Sequence, residues 1–449
     1  MSIVEFERRV TQPTEELLAG FRAVVINGPR QSGKSTLVRQ VQRNRGPVIT
    51  LDDPGARDAA ATDPVGFLRG QPDHIAIDEF QRGGNDLLLA LKSQLDGSNQ
   101  RGQYLLAGST RFLSTRTLSE TLTGRVGLAE LLPLSVGERL GHHETFLDML
   151  FDGDIPTGAT GLDRADYAEL IACGGFPEMV LGPTTRRFRS TWCESYLRTV
   201  TALANVEQAA EIRRPELVGQ LLNQLAARSA GEIVASDLAR ELRASEGLIN
   251  SYLDVLDTLY LVRLLPAWTT SRTNRAKRRR VAHLVDTALA AHLVDQNADD
   301  LAQTDSAWFG PLLESFVVAE LAKQATWTER PVSLAHYRDR DQRQVDVVIE
   351  RGTQVAAIEV KATATPRPHD ARHLAFLRDR LDDRFTLGVV LHTGHQHIVL
   401  GDRLVAAPVS SLWACPQDSG RGIPIRALAM RGSRSIEAIP SDVGPRTSA

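Results

Sequence analysis

The chain has 449 residues, 42% hydrophobic and 24% charged, which is enough for about three ordinary domains without disulfide staples. Its formal net charge of −3 excludes a general polycation, so any nucleic-acid contact needs a local basic patch. No stretch reaches the roughly 18 apolar residues of a membrane helix, no membrane partner is expected, and Cys173, Cys193 and Cys415 lack metal or disulfide spacing, which fits a reducing cytoplasm.

Short apolar runs occur at 23–26, 47–51, 74–77 and 104–107, with helical patterns at 37–42 and 86–95 between them. Continuous Val/Ile/Leu runs bounded by turn residues predict strands buried on both faces. The rhythm predicts an α/β domain with a parallel, doubly wound sheet over residues 1–140. A helical region follows over 160–298. Within it, 236–242 reads as a short helix capped by Ser236, and 245–253 as a second helix after a three-residue break. The runs 260–265 and 281–285 then supply a β wing, so a winged helix is expected. From 305 to 415 the pattern is helix 312–324, strands 333–337, 345–350 and 355–361, helix 370–380 and strand 385–391, a second α/β unit. Residues 416–449 are rich in Pro, Gly, Ser and Arg and read as a poorly ordered tail.

Gly28, Pro29, Arg30, Gln31, Ser32, Gly33, Lys34 and Ser35 fit G-x-x-x-x-G-K-[ST] in full, between a strand and a helix that continues from Thr36. Glycines let backbone N–H groups close on phosphate oxygens, and the helix N-terminus adds a positive dipole. Lys34 is expected to bridge the β- and γ-phosphates of ATP, and Ser35 to place its hydroxyl on Mg²⁺. The bland alternative is a Gly-rich turn. The strand at 74–77 ends in Asp78 and Glu79. Asp78 is expected to hold Mg²⁺ through water, and Glu79 to polarise the attacking water. Ser109, after the strand at 104–107, either senses the γ-phosphate or caps a turn. Arg125 is an arginine-finger candidate, with a surface ion pair as the alternative.

In the C-terminal unit, Asp346 on one strand is followed by Glu359 and Lys361 on the next. Period two puts Glu359 and Lys361 on one face. Two carboxylates can hold Mg²⁺ or Mn²⁺ near a scissile phosphate while a lysine orients water, and Glu314 on the preceding helix could complete the metal shell. A strand with alternating charge on a solvated face is the alternative. Of 52 basic residues only five are lysine: Lys34, Lys92, Lys277, Lys323 and Lys361. A GC-rich genome accounts for the bias. Yet Lys34 and Lys361 fall where motif chemistry asks for a point charge beside phosphate. Residues 272–280 hold six basic residues in nine (Arg272, Arg275, Lys277, Arg278, Arg279, Arg280) and form either a DNA-contacting wing or a solvated hairpin tip.

These motifs occur in the order found in a known group. The chain resembles the prokaryotic AAA-type ATPases of the AAA_14 family that carry a C-terminal DUF4143 domain. The resemblance rests on residues 27–36 and 77–81, Leu106-Ala107-Gly108-Ser109, Leu122-Thr123-Gly124-Arg125 and Leu132-Pro133-Leu134-Ser135. It continues through Gly174-Gly175-Phe176-Pro177, Asp286-Thr287-Ala288-Leu289, Leu313-Glu314-Ser315-Phe316-Val317 and Val345-Asp346 with Glu359-Val360-Lys361. It covers about residues 5–400. It implies an AAA-like P-loop domain, a winged-helix middle and a PD-(D/E)xK-type nuclease-like C-terminal fold. The expected function is ATP binding and Mg²⁺-dependent hydrolysis, with nucleotide state coupled to C-terminal domains for which DNA is the candidate target. The alternative is a non-enzymatic ATP-gated switch for DNA or a protein partner. The resemblance supplies no substrate. Two departures are small: Ser35-Thr36 stands where many relatives have Thr-Thr, and Asp286-Thr287-Ala288 where Asp-Thr-Gly is usual. No second sensor arginine is recognisable.

Overall fold

The computed structural model describes residues 5–108, 122, 124–157, 161–207, 214, 216–270 and 279–414. The N-terminal unit is a five-stranded sheet, β1 (Ala23–Asn27), β2 (Val48–Thr50), β3 (Ile75–Asp78), β4 (Tyr104–Ala107) and β5 (Val126–Glu130). Its order is β2-β3-β4-β1-β5 and every pair is parallel. Strand alternation splits its core. Ala23 and Val25 face one cluster with Leu87, Leu91 and Leu95, while Val24 and Ile26 face another with Leu18, Leu37 and Val41. The first cluster takes its helical side chains from α5 (Gly84–Gly97), with α3 (Pro54–Thr62) and α4 (Pro64–Arg69) alongside. The second takes them from α1 (Thr11–Gly20) and α2 (Lys34–Gln42).

Helices dominate from residue 136 to 302: α6 (Val136–Leu140), α7 (Phe146–Phe151), α8 (Arg164–Cys173), α9 (Pro177–Leu181), α10 (Arg186–Glu207), α11 (Glu216–Ala227), α12 (Ala235–Glu241) and α13 (Glu246–Thr258). An antiparallel hairpin follows, β6 (Val262–Leu265) against β7 (Val281–Leu284), with an isolated bridge from Glu232 to Val281. Then come α14 (Thr287–Leu293) and α15 (Ala298–Ala302). Ser245 caps α13 through the Leu248 N–H at 3.2 Å. Ser236 does not cap α12, which starts one residue earlier behind Val234 without a side-chain cap.

The C-terminal unit opens with α16 (Phe309–Gln324) and continues as a six-stranded sheet. Its strands are β8 (Ser333–Arg338), β9 (Gln344–Arg351), β10 (Gln354–Lys361), β11 (Phe385–His392), β12 (Ile398–Gly401) and β13 (Leu404–Pro408), with α17 (Arg372–Leu381) before β11. The order is β12-β13-β11-β10-β9-β8. Only the β10–β11 and β11–β13 pairs are parallel. Leu312, Leu313 and Val317 of α16 join Val347, Ile349 and Ile358 in one cluster, and Leu374, Leu377 and Leu381 of α17 join Val348, Ala357 and Val390 in another.

The α16 cluster does not stop at the expected boundaries. It runs continuously from Leu132 and Val136 through the middle helices to Leu391 and Trp413. After β13, Trp413 lies edge-on to Tyr167 at 6.5 Å and to Phe316 at 6.1 Å, which pins the chain back onto the middle helices. Among the described residues no helix is long and apolar enough to cross a membrane. Ser109, the positions 272–278, Cys415 and the tail 416–449 lie outside the described residues.

Candidate functional site

β1 is buried along its whole length and delivers the chain into the turn 28–33 at the carboxyl edge of the sheet. A Cβ on Gly28 would stand 2.1 Å from the Leu131 carbonyl oxygen, and Gly33 sits at φ +96°, so both positions require glycine. The Lys34 ammonium is buried and donates to the carbonyls of Gly28 at 3.0 Å and Pro29 at 2.7 Å. Burial pushes it down to about 8, against the pull of Glu79 and Asp78. Asp78 ends β3, two strands or about 10 Å from β1. Burial holds the Asp78 carboxyl above its ordinary range, and the neighbouring Ser35 hydroxyl works in the opposite direction. Glu79 follows at φ +51°, with its N–H on Asp78 Oδ1 at 3.0 Å and its carboxylate taking the Gln81 amide. Thus Lys34, Ser35, Asp78 and Glu79 are brought together.

The residues fit a magnesium nucleotide on structural grounds. A hydroxyl paired with a carboxylate is a hard oxygen donor set. Ser32 Oγ and Asn27 Oδ1 are buried beside the loop without a protein partner. Lys34 spends its charge on two carbonyls that phosphate oxygens can replace.

Two supports of the loop were not legible in the sequence. Arg8 is buried and forks three ways: to Ser32 O at 2.8 Å, Leu132 O at 2.6 Å and Glu138 Oε1 at 3.0 Å. Its partners lie 24 to 130 residues away, and nothing marks it among the many arginines. Tyr196 on α10 approaches Arg30 O at 3.4 Å through its hydroxyl. Arg125 is not brought to its own phosphate loop. It stands just before Val126, which pairs with Ala23 at the opposite edge of the sheet, roughly 20 Å from Gly28 by strand rise. There its Nε meets Asp96 Oδ1 at 2.6 Å, the ion-pair alternative.

At the second site, Asp346 Oδ2 accepts the Val360 N–H at 2.7 Å, and Lys361 Nζ donates to Glu359 Oε1 at 2.6 Å. Glu359 is 3% exposed and its Oε2 has no partner, so a solvated strand face is overturned for this residue. Burial, then Glu359, pushes Asp346 up to about 7. Burial, then Asp346 and Glu359, holds Glu314 well above the carboxylate range. Three carboxyls thus repel one another around one lysine. Even so, among the described residues no three His, Cys, Asp or Glu side chains stand close enough to hold a metal ion as placed.

The described end of the basic segment has acidic neighbours, one of them, Glu232, shared with Arg338 at 3.6 Å. Arg280 meets Asp254 at 3.3 Å and Arg279 meets Glu232 at 3.9 Å. The exposed positions of α13 are Glu246, Gly247, Asn250 and Asp254, and the helix contains no lysine or arginine.

Comparison with known proteins matches families along most of the chain. Residues 20–140 match the AAA domain family. This chain carries an AAA-type P-loop ATPase domain. Residues 164–300 match a domain of unknown function (DUF8612) and 309–412 a domain of unknown function (DUF4143). Uncharacterized proteins of Mycobacterium bovis and Mycobacterium tuberculosis are each 27% identical over 391 residues, spanning 87% of this chain and 80% of theirs. Among solved structures, the chain is similar to a Walker-type ATPase of Pyrococcus abyssi (16% identity, TM-score 0.41, 65% of this chain and 96% of that one). It is also similar to the Holliday junction branch migration motor RuvB of Thermotoga maritima (16% identity, TM-score 0.25, 57% and 88%). The AAA-type P-loop ATPase domain and the DUF4143 domain therefore stand in one chain, in that order.

Proposed function

We propose that the protein is a Mg²⁺-dependent ATP hydrolase whose nucleotide state governs its C-terminal domains. The Ser35–Asp78 oxygen pair beside Lys34, with Glu79 next in sequence, is the observation that carries this. Backbone N–H groups at the start of α2 would bind phosphate oxygens. Lys34 would leave the Gly28 and Pro29 carbonyls for the β- and γ-phosphates. Ser35 and Asp78 would hold Mg²⁺, which supplies charge neutralisation on the departing phosphate. Glu79 would orient and polarise water. Lys34→Ala is expected to abolish nucleotide binding or turnover. Glu79→Gln is expected to bind ATP but turn over at least about 100-fold more slowly. Wild-type ATPase activity in Lys34→Ala would overturn the assignment. Because Arg125 faces away from its own loop, a finger role for it requires a neighbouring copy.

The buried Glu359 oxygen beside Lys361 favours a second reading, metal-dependent phosphodiester cleavage at Asp346, Glu359 and Lys361, with Glu314 alongside. Incubating plasmid and single-stranded DNA with Mg²⁺ or Mn²⁺ tests it, and it fails if no cleavage depends on Lys361. Without cleavage, the same cluster serves an ATP-gated switch that holds DNA or a protein partner. We read α12, α13 and the β6–β7 hairpin as a winged helix, on their order along the chain. The acidic outer face of α13 argues that any DNA contact runs through the basic sequence 272–280 rather than through that helix. A binding series in salt would count the phosphate contacts as its slope.

A further inference from the structure

Four motifs behind the family resemblance lie outside the phosphate loop and the Asp78–Glu79 pair: 132–135, 174–177, 286–289 and 313–317. The fold gathers three of them, with the far end of α16, at one buried junction. The Leu134 N–H donates to Gly175 O at 2.7 Å, and the Gly175 N–H donates to Asp286 Oδ2 at 2.7 Å. Asp286 also accepts the Ala288 N–H at 2.9 Å, capping α14. From α16, Glu320 Oε2 accepts the Val136 N–H at 2.9 Å, and Lys323 Nζ donates to Leu134 O at 3.0 Å and Glu320 Oε1 at 2.6 Å. No side chain fits at the glycines. A Cβ on Gly174 would stand 1.9 Å from Asp286 Oδ1, and one on Gly175 would stand 2.3 Å from Leu134 O.

Two arms link this junction to the phosphate loop. In the first, Ser135 and Glu138 form a reciprocal cap at the start of α6, and Arg8 joins Glu138 to the Ser32 carbonyl. In the second, Gly175 leads to Phe176 and Pro177. Pro177 lies 3.9 Å from where a Cβ on Gly33 would be, and Phe176 packs on Tyr196 at 4.8 Å between ring centres, whose hydroxyl meets Arg30 O. The output is α16, which is buried on nearly every side. Nine residues before Lys323, about 13.5 Å along the helix axis, lies Glu314 of the carboxylate cluster. Next to it, Ser315 Oγ contacts His283 Nδ1 on β7 at 3.0 Å. The fourth motif is therefore the cluster end of the same helix.

We propose that Glu320 and Lys323 are positioning residues that couple the phosphate loop to the carboxylate cluster through α16. When Lys34 leaves the loop carbonyls for phosphate, the carbonyls of Arg30 and Ser32 shift against Tyr196 and Arg8. Close packing passes that shift to the junction rather than absorbing it. Linkage makes the effect reciprocal, so the state of the cluster also sets nucleotide affinity. The proposal rests on the ATP reading above.

Hydrogen exchange on the full chain, with and without a non-hydrolysable ATP analogue plus Mg²⁺, separates the two. In wild type, amides at 28–36 become protected and exchange at 344–361 changes. In Lys323→Met, protection at 28–36 persists and the change at 344–361 is lost. Glu320→Gln, closer in shape, carries the same expectation if Lys323→Met does not fold. Protection at 28–36 without any response at 344–361 in wild type overturns the coupling alone, as does a full response in either folded variant. No protection at 28–36 in wild type overturns the ATP reading and the coupling with it.

Discussion

Lys34 and Asp346 are both forced away from their ordinary titration ranges, one downward and the other upward. Burial leaves Lys34 near 8 before phosphate arrives. Phosphate oxygens stabilise the ammonium, so binding takes up a proton above that value. ATP affinity is expected to be flat below pH 7 and to fall up to about tenfold per pH unit above 8. Calorimetry at pH 7 and 9 in buffers of different ionisation heat checks this, and a pH-independent affinity contradicts it. Asp346 is raised to about 7, above its unfolded value of 3.8. The folded state therefore holds that proton more tightly, and the cluster destabilises the metal-free protein most above pH 7. This penalty is relieved as pH falls toward 4. Asp346→Asn should stabilise metal-free protein by on the order of 1–3 kcal/mol at pH 8 and by little at pH 5, read by thermal melting. At this scale the residues proposed to bind phosphate were legible because that chemistry asks for a fixed spacing. Arg8 and Lys323 were not, because their value comes from partners far away in the chain: Glu138 is 130 residues from Arg8, and Leu134 is 189 residues from Lys323.

Among elements, the strands that sequence patterning finds are those buried on both faces, where side-chain alternation is hidden in a continuous apolar run. The edge strand β5 escaped it. Leu128 is half exposed, and Gly127 is small because the ring of Phe21 would come within 2.9 Å of a Cβ there. β12 and β13 escaped for related reasons, one a short edge strand with Val399 in solvent, the other ending in Ala406, Ala407 and Pro408. The short helix α6 offers a graded test of close approach. Gly141 terminates it at φ +73° with open space around it, so Gly141→Ala should cost about 1 kcal/mol from backbone strain alone. Gly175→Ala, which drives a methyl group into the Leu134 carbonyl, should cost more than about 3 kcal/mol. Paired thermal melts separate the two, and equal losses would show that the junction gives way easily.

For the whole molecule, composition allowed three domains, and the cores divide differently. The N-terminal sheet closes its own two clusters, whereas a single cluster joins the exit of that sheet, the middle helices and the C-terminal sheet. Linear patterning reports which face of an element is apolar but not which neighbour covers it, so the shared core was invisible in the sequence. Native-state hydrogen exchange should therefore find α8, α11 and α16 opening as one cooperative unit with β10 and β11. Independent opening of the middle and C-terminal segments would contradict it. The α16 carboxylate that caps α6 also bears on how such proteins recombine. A chimera joining this AAA segment to a foreign C-terminal segment would leave the Val136 N–H and the Leu134 carbonyl buried and bare unless the incoming helix brought its own acid and lysine three residues apart. The two segments would therefore exchange between proteins only as a matched pair.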